Sequence, residues 1–187
     1  LTFSFFRSLK PLVEKFKPDS AYFVLEGRPK HRNELLTEYK ANRPKGTDDF
    51  WRQANDIREI LLNLPIIQIR HPDYECDDVI SHLAADVHKS DKVTICSSDS
   101  DFIQLINENV SLWNPVKKQF IDPWPVDYVT WKSLRGDKSD NVLGIKGVGD
   151  KTAFKLAAEK NLLEDFLSKK NHREIFESAY KQIKLKK

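Results

Sequence analysis

Gly136-Asp137-Lys138-Ser139-Asp140-Asn141-Val142-Leu143-Gly144-Ile145-Lys146-Gly147-Val148-Gly149-Asp150-Lys151-Thr152-Ala153 is the stretch on which the reading of this chain turns. Gly144, Gly147 and Gly149 free the backbone to turn sharply and to approach a ligand closely. Amides exposed at the start of a following helix can meet a phosphate oxygen. The spacing is that of a helix–hairpin–helix loop, a device that holds one DNA strand by its backbone and reads no bases. Gly144, Ile145, Gly147, Val148, Gly149, Lys151 and Thr152 are its candidate DNA contacts. Three glycines alone could form an ordinary loop. Here Asp137 and Asp140 stand just before them, and a mostly basic tail over residues 169–187 follows.

Outward from this stretch, the pair Asp137 and Asp140 is one of four acidic points. The others are Glu26 after an apolar run, the trio Glu75, Asp77 and Asp78, and the pair Asp99 and Asp101. Carboxylates brought together repel one another and raise each other's pKa. A fold tolerates such a cluster when hard divalent cations neutralise it, and oxygen-only ligands suit Mg²⁺ or Mn²⁺ rather than zinc. Helix capping would account for Asp77 and Asp99 singly. It leaves Glu75 beside Asp77 and Asp78, and Asp101 two residues after Asp99, without a reason.

The periodicity places these carboxylates. Residues 3–16 are apolar at helical spacing, with Pro11 as a kink. Residues 21–25 read as a buried strand. A helix is expected over about 32–42, and another starts at Thr47 with Phe50, Ala54, Ile57, Ile60, Leu61 and Leu64 inward until Pro65 stops it. Strands are expected at residues 66–69 and 92–96. Between them lies a helix over about 77–88 that turns Val79, Ile80, Leu83, Ala84 and Val87 inward. A short helix over 102–106 and two short strands over 110–113 and 119–121 follow, the strands joined by a turn at Asn114-Pro115. Strands alternating with helices predict an α/β fold with a mostly parallel central sheet flanked by helices. In such sheets ligands bind beyond the carboxyl ends of the strands, where Glu26, Asp99 and the trio fall. From residue 126 the character changes. The expected division is a catalytic α/β core over residues 1–125 and a DNA-binding helix–hairpin–helix region over 126–187 that contributes Asp137 and Asp140.

The 187 residues fit one domain with an appendage, and 40% hydrophobic with 32% charged residues is ordinary for a soluble chain. No apolar run approaches a membrane span, so no membrane partner is expected and the compartment reads as cytoplasmic. Cys76 and Cys96 lack zinc-site spacing and read as reduced thiols; the five histidines are scattered. The net charge of +3 hides an asymmetry: Arg28, Lys30, Arg32, Lys40, Arg43 and Lys45 face only Glu34 and Glu38 over residues 28–45, while residues 73–101 are acidic. Basic flanks around an acidic centre suit a polyanion held at its rim. The chain begins at Leu1 and contains no methionine, which reads as a missing N-terminal segment or methionines lost from the sequence as written.

Phe23-Val24-Leu25-Glu26, Tyr39-Lys40-Ala41-Asn42-Arg43-Pro44, Glu75-Cys76-Asp77-Asp78-Val79-Ile80, Ser98-Asp99-Ser100-Asp101-Phe102 and residues 136–153 together resemble the 5′-nuclease family, in the expected order over roughly residues 3–160. That family comprises flap endonucleases, phage 5′–3′ exonucleases and the N-terminal nuclease domain of bacterial family A DNA polymerases. The short link from Asp101 to Gly136 looks more like the phage type. The resemblance implies a PIN-like 5′-nuclease fold with a helical arch, and metal-dependent 5′ nuclease activity on DNA in replication or repair. It implies two Mg²⁺ ions, replaceable by Mn²⁺: one served by Glu26, Glu75, Asp77, Asp78 and Asp99, the other by Asp101, Asp137 and Asp140. It also implies a catalytic role for Asp77 and Asp78, and places Tyr39, Lys40 and Arg43 on an arch helix over about 32–43. There Lys40 and Arg43 would meet the scissile phosphate or steer the 5′ end. A K⁺ ion at the glycine loop follows from the same resemblance. So does a monomer acting on DNA with a free 5′ end, flap or nick, in a bacterial cell or phage-infected host, with replication proteins as further partners. The rival readings are a non-catalytic homologue that binds branched DNA, activity on RNA–DNA hybrids, and a single-strand ribonuclease. This chain departs from the pattern in carrying Glu26 where the family has Asp, and nothing before the first helix supplies the Asp of the family's first strand. The expectation is that the parent protein has that strand.

Overall fold

A computed structural model describes residues 1–28, 46–169 and 171–186. The helix expected over about 32–43, and with it Tyr39, Lys40 and Arg43, lies outside the described residues.

Helix α1 (Thr2–Phe16) contains Pro11 and ends where Lys17 turns left-handed at φ 42°, its N–H bonding Val13 O. Strand β1 (Tyr22–Leu25) runs parallel to β2 (Ile67–Arg70), with Tyr22 opposite Ile67 and Leu25 opposite Arg70. Helix α2 (Asp48–Leu61) crosses between them. The Thr47 side chain caps it by accepting from Phe50 N at 3.2 Å. Gln53 Oε1 on α2 accepts from the Leu1 terminus at 2.7 Å and from Thr2 N at 3.2 Å, tying α1 to α2. Of the six inward positions expected on this helix and its exit, Ile57 and Leu61 are buried. Phe50, Ile60 and Leu64 stay 40–43% exposed, because the described neighbours cover a stripe narrower than the apolar face.

Helix α3 (Cys76–His82) leads into a π-helical turn at Leu83–Val87, closed by His88 N to Leu83 O. That wider turn rotates the later side chains off the α-helical face. It leaves Val87, expected inward, 56% exposed, while Ala84 remains buried. Strand β3 (Val93–Cys96) pairs in parallel with β4 (Val110–Asn114), and β5 (Gln119–Ile121) adds antiparallel to β4. Asn114 Oδ1 fixes the β4–β5 turn by accepting from Val116 N and Lys117 N. A 3₁₀ turn at Ser100–Leu105 joins β3 to β4. The expected parallel pairing is present, and among the described residues it is divided between two ladders, β1–β2 and β3–β4–β5. Helix α1 spans both: Phe5 meets Phe23 of β1 edge-on at 5.4 Å, and Phe16 meets Trp113 of β4 at 5.5 Å.

Beyond the ladders come α4 (Tyr128–Arg135), a two-stranded hairpin of β6 (Gly136–Asp137) and β7 (Val142–Leu143), then α5 (Asp150–Ala158), α6 (Lys160–Leu167) and α7 (His172–Ile183). Helix α4 is covered on both sides. Tyr128, Trp131 and Leu134 join Ile145, Ala153, Leu156 and Leu167 in one core, whereas Val129 joins Val142, Ala179 and Ile183 in another. Each large apolar side chain taken from water in this way contributes about 1.5–3 kcal/mol. A third core lies around β3 and β4, where Leu185 packs against Ala84, Ile95 and Phe102.

Candidate metal centre

The two-sided burial of α4 decides what surrounds its polar residues. Asp127 caps the helix by accepting from Thr130 N at 2.6 Å. Lys132, one turn before the helix ends, is only 5% exposed. Gly136 stops the helix with φ 81°, and a Cβ there would lie 2.3 Å from Gly144 N, so only glycine lets the two hairpin strands come this close. Asp137 follows on β6. Its Oδ1 accepts from Ser139 N at 2.8 Å and Ser139 Oγ at 2.6 Å, folding the loop that carries Asp140. Asp101 arrives from the opposite side, on the 3₁₀ turn after β3. Asp99 caps that turn by accepting from Asp101 N at 2.9 Å, so capping and site placement operate in the same pair.

Carboxylate oxygens of Asp101, Asp137 and Asp140 lie within 4.8 Å of one another. Hard, oxygen-only donors at that spacing fit a Mg²⁺- or Mn²⁺-type cation. Lys132 Nζ lies 2.6 Å from Asp137 Oδ2 and also pairs with Asp101 Oδ1. The Tyr128 hydroxyl lies within hydrogen-bonding distance of Ser100 Oγ and Asp101 Oδ1, at 3.2 and 3.3 Å. For Lys132, burial opposes the charge, yet Asp101 and Asp137 outweigh it and hold the ammonium well above its ordinary range. Burial would raise Asp137 too, but bonds from Lys132 and Ser139 bring it down to about 2. Burial dominates at Asp101 and, with repulsion from Asp99 and Asp137, lifts its carboxyl despite Lys132. The three carboxylates face an open cleft of about 400 Å³, whose other wall carries Trp124, Trp131 and Arg135.

Two of the earlier carboxylates reach the same place. Glu75 and Asp77 line a small recess together with Asp101, Asp137 and Asp140. Glu26 is joined to this group through Cys76, whose thiol donates to Glu26 Oε2 at 3.0 Å and lies 3.3 Å from Asp77 Oδ1. Burial first, then the two carboxylates, push that thiol far above its usual range, so it stays protonated and donates. Asp78 is 3% exposed, and its Oδ1 accepts from Lys186 N at 3.0 Å, a bond that anchors the C-terminal segment. Asp99 lines the large cleft.

The glycine stretch also takes a definite form. Gly147 sits at φ 84° and Gly149 is the N-cap of α5; a Cβ at either would meet nothing within 4 Å. The space on the Cβ side of both is open, which leaves room for a ligand to approach the backbone. Gly144 differs: a Cβ there would come 2.2 Å from the Arg135 backbone, so its smallness serves internal packing. Ile145, expected on the DNA-binding surface, is instead 3% exposed and belongs to the core, and its N–H bonds Leu134 O while its carbonyl accepts from Val148 N. Val148 is half-buried, while Lys151 and Thr152 are exposed on the first turn of α5.

Sequence reasoning missed Lys132, Tyr128 and Cys76. Lys132 did carry a signal: a lysine between Trp131 and Ser133-Leu134, in a helix whose two sides are both apolar, is a buried cation in need of a carboxylate. Cys76 stands inside the acidic trio, but only the approach of Glu26 gives its proton a purpose.

Two family models match the chain: the N-terminal resolvase-like domain of 5′-3′ exonuclease over residues 1–130 and the C-terminal SAM fold of 5′-3′ exonuclease over residues 123–187. A 5′-3′ exonuclease of Aquifex aeolicus is 35% identical over 98% of this chain and 70% of its own length. The thermostable DNA polymerase I of Thermus thermophilus is 34% identical over 84% of this chain and 20% of its own length, so the chain corresponds to a minor part of that enzyme. Among solved structures, a bacteriophage T5 flap endonuclease in a complex with DNA and metal ions matches with a TM-score of 0.71 and 18% identity, over 97% of this chain and 77% of that one, a likeness of fold.

Proposed function

The chain belongs to the 5′-3′ exonuclease family, and from that premise we propose that it hydrolyses DNA phosphodiester bonds at 5′ ends, flaps or nicks, with two Mg²⁺ ions as cofactors. The observation that carries the reading is the convergence of Asp101, Asp137 and Asp140 within 4.8 Å. They share a recess with Glu75 and Asp77, and an open glycine turn follows a few residues along the same chain.

Asp101, Asp137 and Asp140 would hold one ion. Glu75, Asp77 and Glu26 would hold the other, with Asp78 and Asp99 supporting the site that surrounds it. When bound, such ions lower the pKa of water and offset charge on the reacting phosphate. The protein's part is positioning. The Asp137–Ser139 turn and the Asp99 cap fix the carboxylates before substrate arrives, so little reorganisation remains. Amides of Gly147 and Gly149, with K⁺ at the turn, would hold one strand by its backbone, alongside Lys151 and Thr152. Lys40 and Arg43 would act at the scissile phosphate and Tyr39 beside them. The division into residues 1–125 and 126–187 would then separate cutting from holding, with Asp137 and Asp140 bridging the two.

The test is a gel assay of the full-length protein on end-labelled flap, nicked, single-stranded and RNA–DNA hybrid substrates, with and without Mg²⁺. Mg²⁺-dependent release of 5′ products from flap or nicked duplex is the expected result. Binding without cleavage in Mg²⁺ and in Mn²⁺ would assign the chain a holding role instead.

A further inference from the structure

Lys132 is a buried cation inside a cluster that, on the reading above, binds another cation. Its side chain is 7% exposed and rises from a helix locked by Trp131 and Leu134. The ammonium carries three protons and accepts nothing. Two carboxylates accept from it, Asp101 through Oδ1 and Asp137 through Oδ2. The other oxygen of Asp137 is already occupied by both donors of Ser139. A divalent ion that binds Asp137 through Oδ2 therefore meets Lys132 at the same atom.

We propose that Lys132 is the resident counter-ion of the Asp101–Asp137–Asp140 cluster: it holds the carboxylates together in the metal-free protein and, by sharing their oxygens, lowers the affinity of the cluster for a divalent cation. The inference rests on the assignment of a cation to this cluster. A purely structural ion pair would share one consequence, loss of stability when Lys132 is replaced. It would not make the cluster bind metal more tightly. Deleting a unit positive charge within hydrogen-bonding distance of the ligands must do so, because an uncompensated carboxylate set attracts a divalent ion more strongly.

The experiment measures Mn²⁺ binding to the full chain by calorimetry at one pH and ionic strength, for wild type, Lys132→Met and Lys132→Arg, with thermal melts in chelator and in Mn²⁺. Lys132→Met should bind Mn²⁺ at least about tenfold more tightly. It should also melt lower than wild type in chelator and recover much of the difference in Mn²⁺. Lys132→Arg, which keeps the charge, should stay within about threefold of wild type. If Lys132→Met folds only with metal present, its affinity is read by competition with a chelator of known strength, and unfolding on chelation supports the proposal. Unchanged or weaker Mn²⁺ affinity in Lys132→Met overturns it, as does an equal tightening in Lys132→Arg. Wild-type protein that binds no Mn²⁺ overturns the metal assignment beneath it.

Discussion

The carboxylates on the two sides of the site are held by different kinds of donor. Asp101 and Asp137 share the ammonium of Lys132. Glu26 and Asp77 lie against the thiol of Cys76, and Asp78 accepts a backbone amide from Lys186. A backbone amide is fixed by the fold and can be lost only by moving the chain. An ammonium at the end of four methylenes can be replaced by another cation while the backbone stays still. On the side assembled around α4 the counter-charge is a side chain. At Asp78 a carboxylate joins two segments of the chain.

The largest effect expected from this contrast is chemical. Replacing Asp137 and Asp140 together by Asn should lower single-turnover cleavage by about 10³-fold while duplex affinity, read by anisotropy, changes little. Wild-type turnover in that variant would remove the side around α4 from the chemistry. The converse concerns stability. Asp78→Ala removes the acceptor of the Lys186 amide, a part-buried bond between a buried carboxylate and an exposed residue, and should cost about 1 kcal/mol in urea denaturation. A variant as stable as wild type would erase the difference between the two sides.

A third measurement uses acid. The carboxyl of Asp137 lies near a pKa of about 2 in the folded chain, below its ordinary 3.8. A depressed carboxylate contributes stability above its unfolded pKa and loses it as pH falls through the folded one. The stability advantage of wild type over Asp137→Asn, measured in chelator, should therefore shrink by about 2 kcal/mol between about pH 4 and pH 2. A constant difference across that window would mean that Lys132 and Ser139 do not hold the charge. The smallest change in stability belongs to Gly149→Ala. The site is open and its φ is ordinary, so stability should move by only a few tenths of a kcal/mol. Duplex affinity should nevertheless fall for every sequence alike. Unchanged affinity would remove the turn from the surface that holds DNA.

Much of this was legible in the chain. Thr47 before Asp48 and Asp49 marked a helix start that its side chain does cap, and Asn114-Pro115 marked the β4–β5 turn. The spacing of Asp137, Asp140 and the glycines marked a turn-rich stretch, and Gly147 does adopt positive φ. What stayed hidden depends on contacts between distant segments. Lys132 and Asp101 are 31 positions apart, and Cys76 and Glu26 are 50 apart. Burial failed as a guide wherever local periodicity met an unexpected neighbour. The π turn released Val87 to solvent, and Ile145 was drawn into the α4–α5 core because its glycine-rich stretch folds back on Leu134.

The bond from the Lys186 amide to Asp78 has a further meaning when the chain is considered in time. Synthesis runs from the amino end. The residue that supplies this amide is added 108 positions after the carboxylate it will meet, and Leu185 then bonds Gln104 across 81 positions. The α/β ladders can form long before then, while the acidic centre beside them still lacks the segment that clasps it. Such late, distant closures carry a large loop entropy and form slowly. The acidic centre thus gains its clasp at Asp78 only after the segments of both ladders have been made.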